Sequence, residues 1–394
     1  MRRMLSSFVK STLPLLLHGG MLTAQNMPQQ TSSPAQVVYF VNDGGMQVYD
    51  VNPQTGNPTY EANVTVEAVD PTVVPSANDH FIYVLGTNPG SGAEQLWVYP
   101  TTPTGVPLNP PLQQVDLTSF TYNFMIDPDG TLAYAAQSTT NSEGEPVAEI
   151  LSFAIDSTTG LISGTPAVQA TYPPNGLCGA GYTASFSLLG FNSSGSQIYD
   201  EWNCASSAGT YSIYNTRSVN QQTGALGPDT SAFYTDVTSV ETAYVNFTRN
   251  AIIDFTWIGY GSGNSELDVY PLSGGGPTIN CAAAMLPACG YGLSDSVDPS
   301  GNYIFIQLSS EVADVTKIDV ASAKIANTGY NVSGKVQAFG SDGTLVYTEL
   351  SSTSLLHTVL IYLFNPATGA TSTSPGDQIS VQQTFFAVVP AVRK

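Results

Sequence analysis

Three histidines, four cysteines and a surplus of carboxylates, phenols and hydroxyls are the reactive groups of this 394-residue chain. His18 lies near the N-terminus, His80 precedes Phe81-Ile82-Tyr83, and His357 sits in a strand-like run. No histidine pair or histidine–carboxylate spacing suited to proton transfer emerges. There is no Gly-x-Ser-x-Gly elbow, and Gly274-Gly275-Gly276 leads into no Lys-Ser or Lys-Thr, so neither a serine nucleophile nor a phosphate loop is indicated. Asp127-Pro128-Asp129-Gly130 lacks the later oxygen ligands of a calcium loop and reads as a turn. No Cys-x-x-Cys or His-rich spacing suggests zinc, and no cofactor or metal is expected. What remains is a set of polar residues upstream of recurring turns: Asp70, Thr72, Tyr122, Asn123, Tyr182, Glu241, Tyr244, Asp295, Lys335 and Gln337. Brought together, they could hold a cation or a neutral polar ligand such as a sugar stacked on tyrosine. They could equally line a water-filled channel.

The elements that would position them are repeated. One signature is an apolar strand followed by a polar turn ending in Thr-Gly. It occurs at Val48-Tyr49 to Gly56, Val98-Tyr99 to Gly105, Phe153-Ala154-Ile155 to Gly160, Val219 to Gly224 and Phe364 to Gly369, with worn copies at Val269-Tyr270-Pro271 and Ile318-Asp319-Val320. A second signature, Asp-Pro-x-Gly before a strand with Tyr or Phe, occurs at Asp127–Tyr134 and Asp298–Phe305, and more loosely at Asn192–Tyr199 and Gly340–Tyr347. Both are hairpin turns: Asn, Pro, Thr and Gly provide the corner, and the flanking residues alternate as strands do.

Two hairpins per unit give four antiparallel strands, and one such sheet cannot bury both faces. Radial stacking solves this. The expected fold is all-β, a seven-bladed propeller of four-stranded blades over residues 37–390; a sandwich of two sheets is the alternative. Val37-Val38-Tyr39-Phe40 lacks a preceding partner strand, and Thr384–Val389 follows the last Thr-Gly turn, so the two are expected to complete one blade. The polar set above would then begin the inner strands and face the channel mouth.

The formal net charge is −20, with 30 acidic and 10 basic residues. Such a field repels phosphates and anionic headgroups, so neither nucleic acid nor an anionic membrane surface is an expected partner. Arg2, Arg3 and Lys10, then Leu13, Leu15, Leu16 and Leu17, then Ala24 before Gln25, read as a signal peptide over residues 1–24. Residues 25–36 read as a disordered linker and 391–394 as a tail, with no membrane span and a secreted or periplasmic address. Four cysteines allow three pairings; nearest neighbours would join Cys178 to Cys204 and Cys281 to Cys289, and four free buried thiols is the other reading. Asn63-Val64-Thr65 and Asn246-Phe247-Thr248 are glycan acceptors if the host glycosylates.

The pairing of Asp-Pro-x-Gly-x-x-x-Tyr strands with Phe-x-Ile-Asp-x-x-Thr-Gly hairpins resembles the lactonase-family seven-bladed propellers, the 6-phosphogluconolactonase-like and carboxymuconate-lactonising enzymes. Surface-layer-type propellers look similar. Where enzymatic members carry Pro-His, this chain has Asp70-Pro71-Thr72, and few cations are present for a phosphosugar. For a lactonase, the candidates by residue chemistry are Glu241 or Asp295 to activate water and Arg249 or Lys335 to polarise the carbonyl, roles that need a carboxylate and a cation to converge. The leading expectation is an exported, monomeric scaffold that binds a small polar ligand, such as a carbohydrate, or a surface protein. A lactone hydrolase is the alternative.

Overall fold

The computed structural model describes residues 36–76, 78, 80–173, 176–207, 209–229, 233–235, 240–247, 251–258, 264–272, 295–309, 311–319, 324–350, 356–382 and 387–392. They belong to one compact unit, Ser33–Lys394. The expected signal peptide, residues 25–35 of the expected linker, Cys281 and Cys289 lie outside the described residues, while Gln36 of that linker opens β1 and residues 391–392 of the expected tail end β29.

The strands follow one another in antiparallel sheets. β1 (Gln36–Asn42), β2 (Gly45–Val51) and β3 (Pro58–Thr65) form a meander, as do β4 (Val69–Pro75), β5 (Phe81–Thr87), β6 (Glu94–Pro100) and β7 (Gln113–Asp116). The next sheet is β8 (Phe120–Ile126), β9 (Leu132–Thr140), β10 (Pro146–Ile155) and β11 (Ile162–Thr171). Then come β12 (Thr183–Phe191), β13 (Gln197–Ser206), β14 (Gly209–Val219) and β15 (Leu226–Asp229), with β16 (Phe233–Thr235) also on β14. β17 (Val240–Phe247), β18 (Ala251–Ile258) and β19 (Asn264–Pro271) follow. β20 (Asp295–Val297), β21 (Tyr303–Ser309), β22 (Val312–Asp319) and β23 (Lys324–Ser333) make another sheet. In the last, β24 (Lys335–Phe339), β25 (Leu345–Leu350) and β26 (Leu356–Asn365) are joined by β27 (Ala370–Thr371) and β28 (Asp377–Gln382), both on β26.

β29 (Ala387–Val392) pairs antiparallel with β1, Val41 opposite Ala387 and Gln36 opposite Val392, and so gives the first sheet its fourth strand. The two ends of the described chain therefore share a sheet, as the unpartnered Val37–Phe40 run requires. The expectation of seven four-stranded blades needs correcting: among the described residues six sheets have four or more strands, and the sheet β17–β19 has three. The first strands form a closed ring, in which β29 neighbours β4, then β8, β12, β17, β20 and β24 follow in turn, and β24 returns to β29.

Burial explains the apolar strand runs. Val37, Tyr39 and Val41 point into the core shared with β5 and β6, while Val38 and Phe40 point into the core shared with β25 and β26. Both faces of a blade are thus covered, and alternation gives way to a continuous apolar run. The core is a series of strips between neighbouring sheets rather than one centre.

The two sequence signatures are the fasteners. In the Thr-Gly turns an Asn or Asp takes the corner, or Thr102 in the Gly105 turn: Asp156 Oδ1 accepts from the amides of Thr158 and Thr159, and its carbonyl accepts from Gly160. Gly160 has φ 71°, and a methyl there would lie 2.3 Å from the Phe81 ring of the preceding sheet. Only glycine fits. In the Asp-Pro-x-Gly turn, Asp127 Oδ1 accepts from the amides of Thr131 and Leu132, and Asp298 Oδ1 does the same for Asn302 and Tyr303.

Candidate functional site at the start of the innermost strands

Three first strands share an irregularity that no motif announces. In β4, Val69 lies opposite Thr87 and Thr72 opposite Leu85, so Asp70 and Pro71 both face Gly86. In β8, Tyr122 lies opposite Ala136 and Met125 opposite Tyr134, so Asn123 and Phe124 face Ala135. In β17, Val240 lies opposite Ile258 and Ala243 opposite Thr256, which puts Glu241 at the same register position. Such two-against-one bulges bend a strand and re-aim a side chain. Among the described residues, Asp70 (φ 50°) and Asn123 (φ 51°) are the non-glycine residues with positive φ. This strain, of order 1–3 kcal/mol for each, persists only where the surroundings enforce it.

The surroundings are specific. The amide of Asp70 donates to Asp43 Oδ1 at 2.9 Å, reaching across from the β1–β2 turn, while Asp70 itself is exposed. Asn123 is half-buried, and its Oδ1 is buried without a hydrogen-bond partner. Phe120, at the start of β8, is 62% exposed. Its ring lies 5.6 Å from that of Tyr122 at an interplanar angle of 30°. Tyr122 packs partly into the core toward β12, and burial raises the pKa of its phenol. An exposed aromatic ring at the start of β8 and an exposed carboxylate on the neighbouring first strand β4 suit a neutral polyhydroxylated ligand or a cation.

The remaining expected residues disperse. Thr72 is exposed on β4, and Lys335 is exposed at the start of β24 opposite Glu349. Gln337 is the extra residue of a bulge in β24, and its amide donates to Glu349 Oε2 at 2.7 Å. Tyr182 lies outside the first strands, just before β12; its ring packs edge-on at 4.9 Å against Tyr211 of β14. Strand pairing puts Glu241 and Tyr244 on β17 and Asp295 on β20; their side chains, and Arg249 altogether, lie outside the described residues.

Two polar groupings escaped the sequence reading. His357 Nδ1 contacts Glu349 Oε1, the carboxylate that also accepts from Gln337. The hairpin register of β25 on β26 creates this pair, and residue spacing alone does not reveal it. The second grouping is internal. Asp200 is fully buried and accepts from Asn215 Nδ2 (2.9 Å) and the Tyr172 hydroxyl (3.2 Å). Arg217 lies 3.9 Å from Asp200 and 2.7 Å from Asp229, with its guanidinium 5.1 Å from the centre of the Tyr172 ring. Burial pushes the Asp200 carboxyl up to about 6, against the opposing pull of Asn215 and Arg217. Cys178 is bonded to Cys204, one of the two expected bridges. Among the described residues no group of three His, Cys, Asp or Glu could hold a metal ion, and no helix is long and apolar enough to cross a membrane.

No protein-family model matches this chain, and no curated protein matches it. Solved structures do. A candidate 6-phosphogluconolactonase of Bacteroides uniformis superposes with a TM-score of 0.58 at 13% identity, over 91% of this chain and 100% of the other. A second, from Bacteroides fragilis, gives a TM-score of 0.56 at 16% identity, over 92% and 99%. At this identity the likeness is one of fold: the chain is an all-β propeller of four-stranded antiparallel blades.

Proposed function

We propose that the chain is an exported scaffold that binds a carbohydrate at the end of the ring where the innermost strands begin. The three-stranded sheet β17–β19 serves as a seventh blade. The observation that supports this reading is exposed Phe120, tilted on Tyr122, at the start of the strand that carries the strained, half-buried amide of Asn123. A pyranose ring offers apolar C–H groups to the aromatic face and hydroxyls to the amide. The acidic balance of the chain disfavours anionic sugars, and the Cys178–Cys204 bridge accords with an oxidising compartment.

Calorimetric titration with a panel of neutral oligosaccharides tests the proposal. Saturable binding that weakens at least tenfold in Phe120→Ala supports it; no binding across the panel, or an unchanged affinity in that variant, ends it.

A second reading, lactone hydrolysis, is favoured by the description of the two Bacteroides neighbours. It assigns Glu241 or Asp295 to water activation and Arg249 or Lys335 to the carbonyl. Turnover of any of a set of sugar lactones, lost in Glu241→Gln or Asp295→Asn, would replace the binding-only reading.

A further inference from the structure

The opposite end of the ring, where the innermost strands turn into the second strands, holds a separate cavity. Among the described residues, five turns there are six residues long and share one hydrogen bond. The amide of the first residue donates to the carbonyl of the sixth in Ser76–Phe81, Asp127–Leu132, Asn192–Gln197, Asp298–Tyr303 and Gly340–Leu345. Neighbouring turns touch through the second and fourth residues. A methyl on Gly195 would lie 3.1 Å from Pro128 Cδ, and one on Gly343 would lie 3.8 Å from Pro299 Cδ. Proline therefore closes the junctions that follow the Asp127 and Asp298 turns.

The junction between the β4–β7 and β8–β11 sheets departs from this pattern. Its first turn has Ser76-Ala77 where the Asp127 and Asp298 turns have Asp-Pro. Ser76 Oγ takes over the capping role by accepting from the amide of Phe81 at 3.1 Å. Beside Gly130 a cavity of about 270 Å³ is open. Its floor is Phe81, Tyr83 and Ile155, and its polar wall includes Asn78, Asp129 and Ser157.

The wall is fixed in place. Asn78 Oδ1 accepts from Ser76 Oγ (2.7 Å), and Asn78 Nδ2 donates to the Ser157 carbonyl (3.1 Å), so the amide links the two sheets. Tyr83 is committed to the Gly160 carbonyl. Among the described lining residues the charged group is Asp129, on the exposed rim, and none is cationic. A cavity with an apolar floor, an aromatic ring and one rim carboxylate, in a chain of net charge −20, selects a small cation with a short hydrocarbon tail.

We propose that this junction is a second binding site, independent of the first-strand end of the ring, and that it takes a small primary alkylammonium ion. The ammonium pairs with Asp129, and the alkyl tail lies on Phe81 and Ile155.

The probe is n-butylammonium, titrated into the full chain and followed by calorimetry, with glucose as the neutral control. Expected are saturable binding by the wild type, at least tenfold weakening in Asp129→Asn, and loss of binding in Ser76→Asp/Ala77→Pro, which restores the closing motif. No saturable binding, unchanged affinity in Asp129→Asn, or equal binding of glucose overturns the proposal. Asp129 is exposed, so its substitution leaves the fold intact and the test stands even if the double variant fails to fold. Butylammonium binding that survives Phe120→Ala separates this site from the carbohydrate proposal, and either can fail without the other.

Discussion

The Tyr83 hydroxyl donates to the carbonyl of Gly160 at 2.9 Å, from the second strand of one blade to the Thr-Gly turn of the next. The same bond recurs from Tyr39 to Gly105 and from Tyr134 to Gly224. Each tyrosine is buried, and burial raises the phenol of Tyr134 as it does that of Tyr83. The two sequence signatures are thus the halves of one joint: the tyrosine follows one turn and the glycine closes the other. Tyr83→Phe leaves a buried carbonyl without its donor and should cost about 1–2 kcal/mol in urea denaturation. Gly160→Ala adds backbone strain and a collision with Phe81, and should cost more than Tyr83→Phe in the same assay.

The strained bulge of β8 predicts a separation of stability from binding. Asn123→Gly relieves an unfavourable φ and should raise stability by up to about 1 kcal/mol. It also removes the unpartnered amide, so oligosaccharide affinity should fall at least fivefold. Thermal melts and calorimetry on the same sample measure both effects. A variant that gains stability and keeps its affinity would show that the bulge serves the fold alone.

Asp200 predicts how stability varies with pH. Its folded-state pKa, about 6, lies above the ordinary 3.8, so the native protein favours the protonated form. This contribution is fully present below about pH 3.8 and is lost as pH rises through about 6. Asp200→Asn mimics the neutral form and keeps the neighbours Asn215, Tyr172, Arg217 and Asp229 in place. The stability of the wild type relative to that variant should therefore decline between pH 4 and 6.5, followed by denaturant melts at each pH. A constant difference would contradict the assigned shift.

The Cys178–Cys204 bridge closes a 26-residue separation and secures the chain leading into β12. A methyl on Gly176 would lie 1.9 Å from the Trp202 ring, so this segment covers the indole. Replacing both cysteines with serine should cost about 3 kcal/mol and red-shift tryptophan emission as the cover loosens.

Sequence and structure agree where a turn needs a particular residue. Asn or Asp four residues before glycine, and Asp ahead of Pro-x-Gly, accept backbone amides across the corner, so these hairpins and their order were legible, whereas the strand number of the β17–β19 sheet was not. The last strand was expected at Thr384–Val389, whereas β29 is Ala387–Val392 and includes Pro390. Proline ordinarily ends a strand, but β29 is the innermost and has a free edge, where the missing N–H does no harm. The bulges of β4, β8 and β17 left no trace in the sequence, because they are a property of which residue faces which across two strands. The same holds for His357 and Glu349, eight residues apart and joined by a hairpin. Tyr182 was misplaced because an insertion before β12, pinned by the disulfide, carries it outward onto Tyr211.

The pairing of β29 with β1 has a consequence for biosynthesis. β1 leaves the ribosome about 350 residues ahead of its partner β29. At about 5–20 residues per second, an apolar strand with an unsatisfied backbone edge waits tens of seconds for its mate. A nascent-chain chaperone that recognises extended apolar segments would find its target at Val37–Val41, and would have to release it as Ala387–Val392 arrives.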